Sequence, residues 1–320
     1  MEVTVIIPNY NGIQYLGDCL ASIYQGTMVP EIIVVDNGSL DGSVELVERD
    51  YPQCELIRFQ KNTGFCRAVN EGIKRAKTEF VLLLNNDIRV DKDFVHSLHA
   101  AIKSRKRAFS VAAKMLSMQE PEVIDAAGDL YCALGWAFSL GKGKRKERYD
   151  KSSEVFAACA GAAIYRRKIF ETIGYFDENH FAYLEDVDIG YRARIWGYHN
   201  YYEPAALVYH AGSAVSGSRY NDFKVRLASR NSIYLIGKNM PLWQIILNLP
   251  LLIVGILIKA LFFAKKGMGK TYICGIGEGI RLSVSRKGRQ QKVPVCLNHM
   301  TNYFRIQAEL WLNTIRRFTG

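Results

Sequence analysis

Residues 80–87 read Phe-Val-Leu-Leu-Leu-Asn-Asn-Asp. An unbroken apolar run of this length, closed by polar residues, predicts a strand buried on both faces. A carboxylate at its end is costly to bury unpaired. It can instead hold a divalent cation bridging two phosphates, because magnesium and manganese take hard oxygen ligands, few of them from the protein. A turn or helix-capping aspartate is the commoner explanation for one such residue, but the pattern repeats upstream. Residues 3–7 (VTVII) run into Pro8-Asn9-Tyr10-Asn11-Gly12, residues 31–36 (EIIVVD) end in Asp36 before Asn37-Gly38-Ser39, and residues 55–60 (ELIRFQ) lead to Asn62-Thr63-Gly64-Phe65. Helical patterns lie between them: Tyr15, Leu16, Cys19, Leu20 and Ile23 on one stripe, a helix starting near Val44, and another from Ala68 to Ala76. Strands alternating with helices at short spacing predict an α/β fold, with a mostly parallel central sheet flanked by helices. Ligands bind such sheets at the carboxyl ends of the strands. Those ends carry Pro8-Asn9-Tyr10, Asp36, Asn62 and Asn85-Asn86-Asp87.

Downstream, residues 110–211 are less regular, with a basic loop from Gly141 to Lys151 and a helix predicted near Arg167 to Gly174. Glu185-Asp186-Val187-Asp188 puts three acids within four residues, flanked by Phe181, Tyr183, Leu184 and Ile189. First-turn acids favour a helix dipole. The functional alternative is a carboxylate that takes the proton of an attacking hydroxyl, with a metal rather than a protein acid absorbing the charge of a diphosphate leaving group. His210 closes the strand-like run Ala206–Tyr209 beside Gly212 and Ser213. A lone histidine is more often a core or surface residue, although at a strand end a neutral imidazole can ligate the same metal. Residues 264–271 (AKKGMGKT) imitate a phosphate loop, but an apolar helix-like run precedes them where a strand is required. Gly275, Gly277 and Gly279 lack the dinucleotide spacing and read as close helix packing or a turn.

The chain has 320 residues, of which 49% are hydrophobic and 23% charged, a globular composition. Seven cysteines at irregular spacing, with no C-x-x-C pair, speak against disulfides or a zinc site and for reduced thiols in the cytosol. No signal peptide is expected at the amino terminus. The net charge of +11 falls wholly in residues 237–320, while residues 1–236 balance 29 basic against 29 acidic side chains. A neutral body with a basic, apolar tail fits an anionic membrane surface rather than nucleic acid. Residues 245–264 approach the length of a membrane span. Pro250, Lys259 and the basic residues from Lys265 to Lys292 instead predict an in-plane or re-entrant anchor at the cytoplasmic face. The alternative is a core helix packed on the domain. Expected divisions are 1–110, 111–236 and 237–320.

Seven ordered blocks resemble family-two glycosyltransferases with a GT-A fold, in particular their bacterial rhamnosyltransferase-like branch. They are VTVIIPNYNG, VVDNGSLDGS, NTGFCRAVNEGI, FVLLLNNDI, the run from CAGAAIYRRKIF to FAYLEDVDIGYRARIWG, VYHAGS and RNSIYLIGKNMP. The resemblance implies donor contacts from Pro8, Tyr10, Asn11, Asp36, Asn37, Ser39, Asn62, Gly64, Arg67, Asn70, Asn86 and Asp87. It implies Asp186 as the base with Glu185 as second choice. Gly161, Ala162, Asp188 and Arg192 fall on the acceptor side, and Asp87 and His210 hold Mg2+ or Mn2+. Asn85 occupies the first position of the D-x-D-like triplet, so metal binding leans on Asp87. The branch often has Asn-Pro-Asp there, so Asn-Asn-Asp does not imply rhamnose. The implied activity is inverting transfer from a UDP- or dTDP-sugar to a lipid-linked glycan acceptor in cell-surface polysaccharide synthesis. A catalytically weak nucleotide-sugar-binding partner in a membrane assembly is the alternative, against which Asp87 and Asp186 argue. A Rossmann oxidoreductase lacks its glycine fingerprint.

Overall fold

The computed structural model describes residues 2–212 and 220–319. Its strands are β1 Val3–Asn9, β2 Glu31–Asp36, β3 Glu55–Arg58, β4 Phe80–Leu84, β5 Ile88–Val90, β6 Ala108–Ser117, β7 Ile124–Ala126, β8 Asp129–Tyr131, β9 Ala137–Ser139, β10 Ser153–Val155, β11 Ala162–Arg166 and β12 His199–His210. The helices are α1 Ile13–Tyr24, α2 Ser43–Asp50, α3 Phe65–Arg75, α4 Phe94–Ser104, α5 Ile169–Ile173, α6 Glu185–Ile195, α7 Asp222–Asn239, α8 Leu242–Lys265, α9 Gly269–Val284, α10 Arg286–Gln290 and α11 Met300–Thr319.

The main sheet runs β10-β12-β6-β11-β4-β1-β2-β3, with β5 beside β12 and β7 beside β6. The stretch β4-β1-β2-β3 is parallel throughout. Period-two alternation divides its side chains between two cores. Val3, Val5 and Ile7 of β1 and Phe80, Leu82 and Leu84 of β4 join α1 and α4 on one face, while Ile6, Val81 and Leu83 meet α3 and α5 on the other. The expectation of a mostly parallel sheet fits this half. The other half is mixed: β11 is antiparallel to both neighbours, and β6 pairs parallel with β12.

The tail is not a separate appendage. Position 236 lies inside α7 and position 110 inside β6, so neither expected division is a break in the structure. A third core joins the β8–β9 hairpin, α6, α7 and α11, with α8 packed against it. Tyr191 donates to Gln244 Oε1 at 2.6 Å, Asn313 donates to the Tyr131 carbonyl at 3.0 Å, and Arg194 pairs with Glu309 at 2.7 Å. The phosphate-loop imitation spans the α8–α9 turn, with helix on both sides. Gly275 and Gly279 lie where any Cβ would strike the α7 backbone, so they set the close approach of α9 to α7.

Candidate donor and metal site

A cleft of about 940 Å³ opens at the carboxyl edge of the sheet. Of the residues expected to bind donor or metal, Pro8, Tyr10, Asn37, Asn62, Asn86, Asp87 and His210 line it. Local geometry explains the meeting of Asp87 and His210. The short strand β5 starts immediately after Asp87 and pairs antiparallel with the end of β12, with Ile88 opposite His210. His210 Nε2 therefore lies 3.4 Å from Asp87 Oδ2. Asp87 is buried, and its Oδ1 has no hydrogen-bond partner among the described residues. On the other side of the ring, His210 Nδ1 meets Asp125 Oδ2 at 2.7 Å, and Asp125 Oδ1 accepts from Lys142 at 2.6 Å. Burial alone would lower the His210 pKa, but its bonds to Asp125 and Asp87 raise it to about 9. Burial likewise opposes ionisation of Asp125, yet His210 and Lys142 hold its carboxyl well below the usual range. An imidazole anchored through one nitrogen and an unpartnered carboxylate oxygen beside the other form an N/O donor set that fits a divalent cation.

The strand ends are tied together. Asn86 donates to Asn9 Oδ1 at 2.6 Å, and Asn9 donates to Asp36 Oδ1 at 3.0 Å. Asp36 Oδ2 also accepts from the Gly38 and Ser39 backbone amides. Its carboxylate thus faces the turn and not the cleft. Asn11 and Ser39 join the same turn, where Ser39 Oγ accepts from the Asn11 amide and Asn11 Oδ1 accepts from the Leu40 amide.

Several expected contacts resolve into support. Asn70 is buried, bonded to both the amide and the carbonyl of Phe176. The Arg67 guanidinium lies 5.7 Å from the Phe59 ring centroid, outside the cleft wall. Gly64 takes φ +91° and admits Phe181 where a Cβ would collide. On the acceptor side, Ala162 packs in the core opposite Leu84, and Gly161 is buried against Asn85. Asp188 and Arg192 are buried and bonded to each other at 2.9 Å. Arg192 also donates to the carbonyls of Ile173, Gly174 and Tyr175, while Asp188 accepts from Lys238 and Asn239. Saturated this way, neither is available to an acceptor.

Beside the cleft, Phe181, Tyr183 and Leu184 adopt φ of 63°, 69° and 67°. Left-handed backbone at such residues costs on the order of 1–3 kcal/mol each and persists only where the surroundings impose it. Asn231 imposes it here: fully buried on α7, its amide donates to the carbonyls of His180, Ala182 and Tyr183. Arg230 adds bonds to the carbonyls of Asn179 and His180. This loop delivers Glu185 and Asp186 to the start of α6. Glu185 is buried, its Oε2 has no hydrogen-bond partner among the described residues, and burial pushes its carboxyl up to about 7. Asp186 is half-buried and not among the residues lining the cleft, and burial together with Asp129 raises its carboxyl well above the usual range. Asp125, Asn231 and Asp129 were missed from sequence. The one local signal was an acid flanked by apolar residues, in Ile124-Asp125-Ala126. Ser213, the last residue of VYHAGS, lies outside the described residues.

The family model described as Glycosyl transferase family 2 matches residues 4–174. The N-acetylglucosaminyl-diphospho-decaprenol L-rhamnosyltransferase of Mycobacterium tuberculosis is 27% identical over 235 residues, which cover 64% of this chain and 75% of that protein. Among solved structures, S. aureus TarS 1–349 in complex with UDP-GlcNAc aligns with a TM-score of 0.58 and 18% identity, covering 99% of this chain and 92% of the other. The Pyrobaculum calidifontis mannosyltransferase in complex with GDP-Man and Mn2+ aligns with a TM-score of 0.54 and 17% identity, covering 97% and 84%. At these identities the structural likeness speaks for the fold alone, and that fold is GT-A. Since the model takes in more than half of the sequence, the chain belongs to glycosyl transferase family 2.

Proposed function

We propose that this chain transfers a sugar from a UDP- or dTDP-sugar to a lipid-linked glycan acceptor at the cytoplasmic face of a membrane, with inversion at the anomeric carbon. The observation that carries the reading is the pair Asp87–His210, 3.4 Å apart in a cleft at the carboxyl edge of the sheet. Asp87 and His210 would hold Mg2+ or Mn2+, and the cation's chemistry is to neutralise the diphosphate as it leaves. Tyr10, Asn37, Asn62 and Asn86 face the donor, while Asp36, Asn11 and Ser39 shape the turn beneath it. Asp186 takes the acceptor's proton, and Glu185 stands next to it as the second carboxyl. Positioning the two reactants can supply roughly 7–11 kcal/mol of the acceleration. Neighbours that hold nucleotide-sugars, and a relative whose name specifies a diphospho-decaprenol acceptor, support the substrate classes.

The membrane placement draws on the tail. Among the described residues, 20 of the 26 exposed large hydrophobic side chains lie beyond position 240. The 24-residue α8 is apolar and long enough to span a bilayer. Yet Gln244, Asn248, Leu252 and Gly255 are buried on one face, with Gly255 against the Leu134 carbonyl. A span would drag the β8–β9 hairpin and α11 into the hydrocarbon with it. The arrangement favours a helix lying in the plane of the surface, apolar side down, with basic residues nearby for anionic lipid.

The test is a panel of UDP- and dTDP-sugars with Mg2+ or Mn2+, read by thermal stabilisation and by donor hydrolysis. We expect stabilisation by one donor class that requires the cation and is lost in Asp87→Ala. Stabilisation that is indifferent to metal and to Asp87→Ala would overturn the assignment. Binding without any turnover would favour the nucleotide-sugar-binding partner instead.

A further inference from the structure

Within one turn of α6, two acids meet opposite environments. Asp188 is neutralised by Lys238 and Arg192. Asp186 has no cationic partner among the described residues, and what it faces is another acid. Asp129, the first residue of β8, is buried, and carboxylate oxygens of Asp129 and Asp186 and the Cys159 sulfur all lie within 4.8 Å of one another. Asp129 Oδ1 accepts from Ser139 Oγ at 2.7 Å, and Asp186 Oδ1 accepts from the Val187 amide at 2.7 Å. Both bonds fix carboxyl orientation without cancelling a charge.

We propose that Asp129 is the positioning residue of the base Asp186, the two carboxyl groups sharing the proton that the base takes up. The proposal rests on the reading of Asp186 as base. Two carboxylates this close, one buried and the other half-buried, do not both ionise readily, so they release their last proton as a pair and later than a lone carboxyl. Burial raises both groups, Asp129 adds to the rise at Asp186, and Ser139 opposes it at Asp129. The other ionisable groups facing the pair are Glu185 on α6, Cys159 ahead of β11, Tyr165 on β11, and Asp125 and Lys142 beside Asp129. The effect on the reaction is a stronger base. As the acceptor oxygen bonds the anomeric carbon, its proton passes to Asp186, and the bond from that carbon to the diphosphate oxygen breaks with its electron pair on the leaving nucleoside diphosphate. The carboxyl pair, fully ionised before the step, then shares that proton and returns it to water.

The test compares pH profiles of kcat/KM for the unchanged full-length enzyme and Asp129→Asn. Removing the neighbouring charge should move the acid limb down by about one pH unit or more, with the donor KM unchanged. A uniform fall in kcat with an unmoved limb would make Asp129 merely structural and overturn the proposal. So would a limb that moves in Glu185→Gln instead. Should Asp129→Asn not fold, carbon-13 NMR of aspartate-labelled unchanged protein decides. Two carboxyl carbons titrating together, above the ordinary value of about 3.9, are expected, and independent ordinary titrations would refute the pair. Asp186→Asn that retains kcat removes the base itself, and with it this role for Asp129, even where the coupled titration persists. The two failures are thus read on different variants.

Discussion

Asp87 and His210 stand 123 positions apart in sequence and meet because β5 turns back along β12. Both were legible as strand-end residues, since a polar side chain closing an apolar run announces itself. Asp125 was not, because β7 is three residues long and only pairing with β6 brings it near the ring. Its bond to Nδ1 fixes which nitrogen of His210 faces the proposed metal position. Replacing Asp125 by Asn should therefore weaken Mn2+ binding by roughly 10–100-fold, measured by electron paramagnetic resonance of free Mn2+ during titration. Unchanged affinity would detach Asp125 from the metal. At the proposed base, Asp186→Asn should lower kcat by roughly 10²–10⁴ while donor affinity holds within a few fold. Loss of donor binding with kcat preserved would shift the base role to Glu185, and retained anomeric configuration in the product would rule out single displacement.

Helix α7 serves the acidic loop from behind. Asn231 holds the left-handed backbone, and Lys238, buried, bonds Asp177 and Asp188 at 2.9 Å each. Lys238→Met would leave two buried carboxylates short of a cation, and breaking such a pair costs about 3–5 kcal/mol. Chemical denaturation should show that loss. The pH dependence follows from the same contacts. Burial opposes ionisation of both acids, but Lys238 holds Asp177 below the usual range, and Lys238 with Arg192 holds Asp188 far below it. A depressed folded-state pKa contributes stability that is present above about pH 3.9 and lost as the pH falls below it. In Lys238→Met acid unfolding should begin at higher pH. Unaltered stability and acid midpoint would show that the cluster is not coupled as described. Sequence reading found the acids but not their division of labour. Spacing places Asp186 and Asp188 on one helix, and only packing against α7 gives one its cations and leaves the other facing acids. The parallel strands were legible for the reason that each is short, apolar and locally bounded. The mixed half was not, because the place of β11 between β4 and β6 is decided by pairing across long stretches of chain.

Over the whole molecule, the apolar excess and basic charge of the tail were visible in composition, but its docking was not. Gln244 and Asn248 look like interruptions of an apolar run and are in fact its attachment. Asn248 exchanges hydrogen bonds with Gln307 at 2.8 Å and accepts from Trp311. Truncation after Met240 would strip the partners of Tyr131 and Tyr191 as well, so surface substitutions are the better probe. Leu249, Ile253 and Leu257 lie 46%, 48% and 56% exposed along one face of α8. Changing all three to Gln should release the protein from anionic vesicles in sedimentation assays, and high salt should weaken the unchanged protein's binding. A full-length protein that ignores anionic vesicles, or a triple variant that binds as well as its parent, would defeat the surface anchor.

The attachment of α8 has a timing. Asn248 waits for Gln307, 59 residues further along the chain. At ordinary elongation rates of roughly 5–20 residues per second, the ribosome takes about 3–12 s to deliver that partner. Throughout the interval the nascent chain carries a finished apolar helix whose Asn248 side chain lacks its partners Gln307 and Trp311. On the proposed membrane placement a bilayer surface is the shelter such a segment would find first, and docking there and completion of the fold would be successive stages of one synthesis. Chains arrested between Lys265 and Met300 should accordingly cofractionate with membranes more tightly than the finished protein, and arrested chains that stay in the soluble fraction would show that α8 needs no such shelter.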